Sequence, residues 1–244
     1  MLSKQSSVVR KLARLEAKKM KIKIFEEGSN WKIGEKDFIN KNFSMYFEEN
    51  NYNFNFPKLV GEHQIDNAST AVATILSLGK KDILSRNINK GILSATWPAR
   101  MQNLKKGNLS SYMGNNFEIW LDGGHNLEAS NIINKIIEKW DEENVFLVIG
   151  MMIGKDPNSF IKKLIKNLSA IFLLPIPDHQ YIRPYEIKKI IGKEIKSKIS
   201  IECSLDIKEV LKTIKKTYSS GKLVICGSLY LAGEVLKQDG FKIN

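Results

Sequence analysis

The sequence feature that most constrains the fold is a regular alternation of apolar runs and amphipathic segments over the second half of the chain. The apolar runs are residues 117–122, 145–150, 170–175, 199–203 and 222–227, and the amphipathic segments are residues 127–140, 157–168, 184–191, 207–218 and 229–237. Short, continuously apolar strands are typical of a parallel sheet whose two faces are covered by helices. The pattern therefore predicts a doubly wound α/β domain over residues 107–244.

The first part of the chain, residues 1–106, lacks this alternation and predicts a separate domain. Apolar periodicity predicts helices over residues 5–20, 64–78 and 87–94, and alternation predicts a strand over 21–26 and short antiparallel strands within 29–59. We also expect residues 108–113 to form a hairpin with the strand at 117–122. The small residues on the apolar face of the helix at 64–78 indicate close packing against a sheet. This expected buried face contains Ile65, Ala68, Ala71, Val72 and Ile75.

Composition favours a globular protein without membrane spans. The 244-residue chain is 43% hydrophobic and 26% charged, which is close to ordinary globular proteins, and no apolar run reaches about 18 residues. The N-terminus lacks the apolar centre of a secretory signal. Cys203 and Cys226 lie in apolar runs without metal-ligand spacing, which predicts reduced core residues of a cytoplasmic protein.

The formal net charge of +12 raises the alternative of a nucleic-acid binder. Only five of the 38 basic residues are arginine, and the lysines are spread over every predicted helix instead of gathering on one face. We therefore interpret the charge as a solvated lysine surface and expect no nucleic-acid partner.

The strongest candidate site follows the strand at 117–122, where the sequence reads LDGGHN. Ligands of open α/β sheets bind at the carboxyl ends of the strands. Asp122 ends this strand, two glycines allow a tight turn, and His125 and Asn126 precede a helix whose N-terminus favours anions. A structural interpretation, with Asn126 as the helix N-cap and Asp122 as a turn residue, stays open. The histidine favours function, because a Gly-Gly turn offers it no packing role.

Asn67 and Arg100 are weaker candidates outside this motif. Asn67 lies four residues after His63 on one face of its predicted helix, where its amide could contact a base edge or act as a cap. Arg100 follows Trp97-Pro98 near the domain junction, where its guanidinium could bind phosphate or bridge the two domains.

Three other residues have ready structural explanations. Asp156 precedes Pro157, a pattern typical of a helix N-cap followed by proline at the first helical position. Ser228 follows Gly227 at a strand end, which predicts a helix cap, with carboxylate binding as the alternative role. His179 has no evident partner and is interpreted as a loop residue.

Five segments occur in the order and spacing of a known family. They are GEHQIDNASTAVATI, TWPARMQ, LDGGHN, VIGMMIGKD and VICGSLYLAGEVL, and together they extend over nearly the whole chain. In these segments the chain resembles the folylpolyglutamate synthase/dihydrofolate synthase group of the Mur ligase superfamily. Ala99 stands where that family usually has glycine, and Gly124 where it often has alanine. Neither change removes a functional side chain.

The resemblance implies an α/β protein made of two parts: the C-terminal part of a Mur-ligase central, ATP-binding domain over residues 1–106, and a Rossmann-like C-terminal glutamate ligase domain over residues 107–244. It implies an ATP-dependent ligase that joins L-glutamate to a folate or dihydropteroate carboxylate through an acyl phosphate. The implied nucleotide-binding residues are Asn67, Arg100 and Asp122, the implied catalytic residues are Asp122, His125 and Lys155, and the implied glutamate-binding residue is Ser228.

The family's Gly-rich phosphate loop, of the GTNGKGS kind, does not occur in this sequence. The backbone and lysine of such a loop hold the ATP phosphates. We therefore expect ATP and Mg²⁺ as cofactors, with the metal ligands upstream of this chain, and no turnover by the chain alone. Two explanations of the missing half stay open: a truncated gene model, or a split gene whose separate P-loop half is a partner of this chain. The alternatives are a non-catalytic α/β binding module and another Mur-type ligase.

Overall fold

The structure is a computed structural model that describes residues 1–80, 84–140, 144–192 and 199–241. The chain divides into two compact units, Met1–Thr96 and Trp97–Asn244. This division lies before the boundary that we expected at 106/107. The reason is that the segment after Thr96 pairs with the second unit: Gln102 and Asn103 form a short strand against Leu121 and Trp120.

The first unit combines three helices with a small antiparallel sheet, among its described residues. Its sheet has the strand order β1-β2-β3, with antiparallel pairing throughout. The elements are α1 (Ser7–Lys19), β1 (Trp31–Asp37), β2 (Asn42–Phe47), β3 (Asn50–Asn55), α2 (His63–Ser77) and α3 (Ser85–Ser94). The expected helices and antiparallel strands are thereby confirmed.

The core of the first unit lies between this sheet and the helices α2 and α3. Alternate residues of a strand point to opposite faces of a sheet, so Phe43 and Met45 of β2 share the buried face and are both 0% exposed. They belong to one apolar cluster with Val72 of α2 and Ile88 of α3. Antiparallel pairing thus gives this unit its own apolar core. The expectation that Ala71 is buried is wrong, since Ala71 lies on an exposed position of α2.

The strand expected at residues 21–26 does not form. Only an isolated bridge joins Leu2 to Glu26, and the side chain of Glu26 is held by α1. Arg14 donates from Nε to Oε1 at 2.6 Å and from Nη2 to Oε2 at 2.7 Å. This bidentate pair lowers the pKa of the Glu26 carboxyl below its ordinary value.

The second unit has a six-stranded sheet with the order β4-β5-β9-β6-β7-β8. All of its neighbouring strands are parallel except β4, which pairs antiparallel with β5. The strands are β4 (Gln102–Asn103), β5 (Phe117–Leu121), β6 (Val145–Ile149), β7 (Ala170–Leu173), β8 (Ser200–Cys203) and β9 (Gly221–Cys226). The helices are α4 (Asn108–Met113), α5 (Leu127–Ile137), α6 (Pro157–Leu164), α7 (Pro184–Gly192), α8 (Ile207–Thr217) and α9 (Leu229–Gln238). The α/β fold with a parallel sheet is confirmed.

The hairpin expected from residues 108–113 is wrong, since this segment forms helix α4. The backbone N–H of Leu109 donates to Asp239 Oδ1 at 2.9 Å, and that of Gly107 donates to Ser110 Oγ at 2.9 Å. These bonds satisfy N–H groups at the start of a short helix. The antiparallel partner of β5 is therefore β4, not the segment that follows β4.

Within the described ranges, no helix is both long and apolar enough to cross a bilayer. The two cysteines differ in burial: Cys226 in the central strand β9 is buried, whereas Cys203 in the edge strand β8 is exposed. The expectation that Cys203 is a core residue is wrong, because β8 is an edge strand and neighbouring elements cover only part of its side chains.

The burial of Cys226 predicts unequal thiol reactivity. Burial raises the pKa of the Cys226 thiol well above its ordinary value, and the negative charge of Asp122 adds to this. Because the thiolate is the reactive form, we expect Ellman's reagent at mildly alkaline pH to titrate only Cys203 in the native protein and both cysteines in urea. The ordinary thiol pKa is about 8.5. Above this pH, Cys226 ionises in the unfolded chain but not in the folded chain. Its ionisation therefore lowers the free energy of unfolding as the pH rises. A Cys203→Ser variant should lose the native reaction. Equal rates for both native thiols would contradict this assignment.

Candidate functional site

The candidate site lies in the second unit, at the carboxyl end of β5, where residues 122–126 turn into α5. β5 and β9 are parallel neighbours, so Gly227 and Ser228 follow β9 at the same edge of the sheet. The Gly227 N–H donates to the Gly124 carbonyl oxygen at 2.8 Å. Gly227 has a φ of +102°, and a Cβ there would lie 2.6 Å from the Gly150 carbonyl oxygen. Glycine at 227 therefore permits the end of β9 to approach the end of β6 closely.

The carboxylate of Asp122 joins two backbone turns. It is 9% exposed, its Oδ1 accepts from the Gly124 N–H at 2.7 Å, and its Oδ2 accepts from the Met101 N–H at 2.9 Å. The Asp122 N–H in turn donates to Ile225 of β9 at 2.9 Å. Asp122 thus holds the backbone at Gly124 and the backbone at Met101 in fixed positions relative to each other.

Asp122 Oδ2 bonds to the turn at residues 99–101. In this turn Arg100 lies between two residues whose backbone is in the left-handed region. Ala99 has a φ of +54° and Met101 a φ of +42°, and both side chains are buried. The Gly123 N–H donates to the Ala99 carbonyl oxygen at 2.9 Å, and Arg100 Nη1 donates to the same oxygen at 3.2 Å. A non-glycine residue in this region carries strain.

The guanidinium of Arg100 lies over Gly123. A Cβ on Gly123 would come within 3.1 Å of Arg100 Nη1 and 2.2 Å of Leu229 Cδ2. Glycine at 123 is therefore required by close packing, and Arg100 lies beside the turn that leads into α5. A cation and a helix N-terminus together favour an anionic ligand.

The imidazole of His125 is oriented by the same turn. His125 is half-buried, and its Nδ1 lies 3.1 Å from the Gly123 carbonyl oxygen. Since a carbonyl oxygen only accepts, Nδ1 is the donor in this bond, and a neutral ring then presents Nε2 as an acceptor. Asn126 Oδ1 accepts from the Ala129 N–H at 2.9 Å. Asn126 is therefore the N-cap of α5, whereas His125 is not used as a cap.

Ser228 also lies at this edge, and its expected capping role is observed. Its side chain is 2% exposed and its Oγ accepts from the Tyr230 N–H at 3.1 Å at the start of α9. A hydroxyl that accepts one bond still has a proton to donate. The structure thus brings Arg100, Asp122, His125 and Ser228 to the strand ends of β5 and β9.

Lys155 is exposed in the turn that follows β6, where its backbone N–H donates to the Met152 carbonyl oxygen at 3.3 Å. The next residue, Asp156, caps α6 by accepting from the Asn158 and Ser159 N–H groups at 3.0 and 3.2 Å. The Ser159 hydroxyl is the main cause of the lowered pKa of the Asp156 carboxyl. The structural explanation of Asp156 is thereby confirmed.

Asn67 belongs to the first unit, on an exposed position of α2. Its Nδ2 donates to Gln64 Oε1 at 3.1 Å, and Gln64 Nε2 lies 3.0 Å from His63 Nε2. Asn67 is not a cap, since α2 starts at His63 without a side-chain cap. The three polar side chains form a small cluster in the first turns of α2.

Sequence reasoning missed the contact between His179 and Tyr230. Their rings are in contact in a tilted arrangement, with centroids 3.9 Å apart and planes at 35°. His179 follows β7 and Tyr230 follows β9, and the loop after β7 crosses β6, where the Ile182 N–H donates to the Met151 carbonyl oxygen at 2.8 Å. A contact between the loops of non-adjacent strands leaves no periodic pattern in a sequence. The tyrosine two residues after Ser228 was therefore the only sequence feature that pointed to this contact.

The described residues do not fit a magnesium site. No group of three or more His, Cys, Asp or Glu side chains in the described ranges could hold a metal ion. Both Asp122 oxygens already accept backbone N–H bonds. We therefore assign no step to a metal held by these residues.

Residues 105–238 match the family model described as "Dihydrofolate synthetase, C-terminal domain". The chain belongs to this family. It is 27% identical over 195 residues to the probable dihydrofolate synthetase of Schizosaccharomyces pombe, a match that covers 73% of this chain and 43% of the relative. It is 25% identical over 180 residues to the folylpolyglutamate synthase of Lacticaseibacillus casei, which covers 72% and 38%. The resemblance drawn from the sequence motifs is confirmed.

Solved structures of folylpolyglutamate synthases share the fold. The Mycobacterium tuberculosis enzyme, complexed with ADP and AMPPCP, superposes with a TM-score of 0.81 at 13% identity and covers 99% of this chain and 55% of its own. The Thermotoga maritima enzyme gives a TM-score of 0.75 at 20% identity and covers 100% and 55%. The chain thus spans about two fifths of the length of these curated relatives and about half of the length of these solved chains.

The two hydrogen bonds of Asp122 predict that an amide cannot replace its carboxylate. In an Asp122→Asn variant, the amide NH₂ would face one of the two backbone N–H donors, so one buried bond is lost and its donor is left unpaired. We expect a loss of about 1–3 kcal/mol in the free energy of unfolding, measured by urea denaturation. The exposed Asp178→Asn variant, as a control, should change by less than about 0.5 kcal/mol. Equal stability of the two variants would contradict the bridging role.

The left-handed backbone at Ala99 predicts an unusual response to glycine. An Ala→Gly change in a helix costs about 1 kcal/mol, but at Ala99 it also relieves about 1–2 kcal/mol of left-handed strain. We expect Ala99→Gly to leave the free energy of unfolding unchanged or to raise it by up to about 1 kcal/mol. The control, Ala232→Gly in α9, should lose about 1 kcal/mol or more. The same loss at both positions would show that the turn is not strained.

Proposed function

We propose that this chain is part of an ATP-dependent ligase that joins L-glutamate to a folate or dihydropteroate carboxylate. Family membership and the activities named for the curated relatives support this proposal. The observation that carries it is the turn at residues 122–126, where Arg100, His125 and the N-terminus of α5 converge beside a fixed carboxylate. Such a group of donors suits a phosphate that is transferred between oxygen atoms.

The proposed reaction has two steps, in which atoms and charges balance. A carboxylate oxygen of the folate-type substrate attacks the γ-phosphorus of ATP, and ADP leaves. The amino group of glutamate loses one proton, and its nitrogen then attacks the acyl carbon. As the amide forms, this nitrogen loses a second proton, which the leaving phosphate carries away. Catalysis of this kind depends mainly on positioning and on neutralising the charge of the phosphates.

We assign the residues of the second unit by their observed contacts. Arg100 would bind a phosphate, because its guanidinium is held beside Gly123. His125 would lie near the transferred phosphate, with the proton on Nδ1 set by Gly123. Asp122 would hold both turns in place at the nucleotide. Lys155 and Ser228 would lie near the incoming glutamate, where the Ser228 hydroxyl can donate to a carboxylate and the exposed Lys155 supplies a positive charge.

We assign the first unit, with Asn67 as the adenine contact, to the C-terminal part of a Mur-ligase central domain, and the second unit to the glutamate ligase domain. ATP and Mg²⁺ would be used together, with the magnesium ligands and the phosphate loop supplied by a separate P-loop half. A cytoplasmic location would fit the use of ATP and the two free cysteines.

The test reconstitutes the ligase from two polypeptides. The second is the part of the Schizosaccharomyces pombe synthetase outside the aligned region, hereafter the complementary polypeptide. We expect no ADP release that depends on dihydropteroate and glutamate from either polypeptide alone, and measurable release from the mixture. Arg100→Ala should lower kcat about 10²–10³-fold, whereas the exposed Arg86→Ala on α3 should not. Normal turnover by this chain alone would overturn the expectation of a partner. A complex that forms but never releases ADP would overturn the ligase proposal.

A further inference from the structure

The loop after β7 crosses the carboxyl end of β6 and is fixed there by backbone pairing. We call residues 177–182 the strap. The Ile182 N–H donates to the Met151 carbonyl oxygen at 2.8 Å, and the Ile153 N–H donates to the Gln180 carbonyl oxygen at 3.2 Å. An isolated antiparallel bridge lies between these two bonds. The strap is therefore held in place without any contribution from a ligand.

His179 is the strap residue that reaches the start of α9. Its ring contacts the ring of Tyr230 at a centroid distance of 3.9 Å, and both side chains are exposed. The other two histidines of the chain, His63 and His125, each have a ring nitrogen at 3.0 or 3.1 Å from a polar atom. Neither ring nitrogen of His179 bonds to a described residue. The ring contact therefore orients an imidazole whose nitrogens are available to a ligand.

The strand order of the sheet sets the position of the strap relative to the candidate site. The sheet contains the run β5-β9-β6-β7, and neighbouring strands lie about 4.8 Å apart. The turn at residues 122–126 follows β5, Ser228 follows β9, and the strap starts after β7 and crosses β6 to reach α9. An amino acid that accepts a hydrogen bond from Ser228 and directs its amino group toward residues 122–126 therefore extends its side chain toward His179.

The charges around the strap suit an acidic side chain. The backbone N–H of Lys155 donates to the Met152 carbonyl oxygen, and Met152 is the residue that bridges to the strap at Tyr181, so a cation lies in the adjoining turn. Asp178 is the only acidic residue of the strap and offsets part of this positive charge. A carboxylate ligand therefore needs a directional donor as well as a cation. The imidazole of His179 supplies one, since a neutral ring has one N–H group and an ionised ring has two.

We infer that His179 determines the specificity for the side chain of the incoming amino acid, by donating a hydrogen bond to its carboxylate. Tyr230 is a positioning residue that orients the imidazole. The inference rests on the proposed function, which places Ser228 and Lys155 near the incoming glutamate. Because the strap is fixed to the segment after β6, the fold sets the distance between Ser228 and His179. The site therefore prefers L-glutamate over L-glutamine, which has the same length but no side-chain charge.

The test compares L-glutamate with L-glutamine as ligands of the chain alone and of its complex with the complementary polypeptide, by isothermal titration calorimetry. His179→Phe keeps an aromatic ring beside Tyr230 but has no ring nitrogen. It should weaken binding of L-glutamate roughly 10–100-fold, as expected for one lost hydrogen bond to a charged group. Binding of L-glutamine, which offers only a neutral acceptor, should weaken by less than about tenfold. Tyr230→Ala should lower the preference for L-glutamate by a smaller factor.

The matched control for the loss of an exposed aromatic side chain is Tyr185→Ala on α7, where the tyrosine is 57% exposed. It should leave both affinities unchanged. Urea denaturation of each variant checks that it folds, as expected for substitutions at exposed positions. A merely structural role of His179 would weaken the binding of both ligands by the same factor.

Each outcome decides the inference. Equal weakening of both ligands by His179→Phe, an unchanged preference in that variant, the same loss of preference in Tyr185→Ala, or no binding of L-glutamate to the chain or to the complex would each overturn it. An active ligase that keeps its preference in His179→Phe would refute the inference and leave the proposed function intact. A preference that requires His179, in a complex that never releases ADP, would support the inference and refute the ligase proposal.

Discussion

The bridge that Asp122 makes between two turns is the interaction on which the candidate site depends. One carboxylate oxygen holds the backbone after β5 and the other holds the segment that carries Arg100. A carboxylate that accepts backbone N–H bonds in a nearly buried position is costly to replace. The same group therefore fixes where the guanidinium lies and how α5 begins, so that cationic and dipolar groups are arranged before any ligand binds.

The sequence was sufficient to predict the parallel sheet and its ligand-binding edge. Continuous apolar strands and short connections determine that architecture locally, so β5, β6, β7 and β9 could be placed with their helices. The motif at 122–126 could be found because the ends of parallel strands share an edge. The residues Asn126 and Asp156 could be explained as caps because capping depends on immediate neighbours.

The remainder depended on contacts between residues far apart in the chain. Segment 108–113 resembled a strand, but Asp239 satisfies the backbone of a helix there. Cys203 lies in an apolar run, but β8 is at the edge of the sheet and leaves it exposed. His179 reaches Tyr230 only because a loop crosses β6. The division into compact units falls before the expected boundary because two residues, Gln102 and Asn103, pair with β5.

The backbone on either side of Arg100 has a consequence for how this protein can change over time. Ala99 and Met101 hold their unusual dihedral angles within the interior, and those angles set the direction in which the arginine leaves the main chain. A β-branched residue at either flanking position would disfavour these dihedral angles and re-aim the guanidinium while leaving it chemically intact. An inactive descendant of this protein could then keep Arg100 and the other side chains of the candidate site. Comparing only those side chains would not reveal that its activity had been lost.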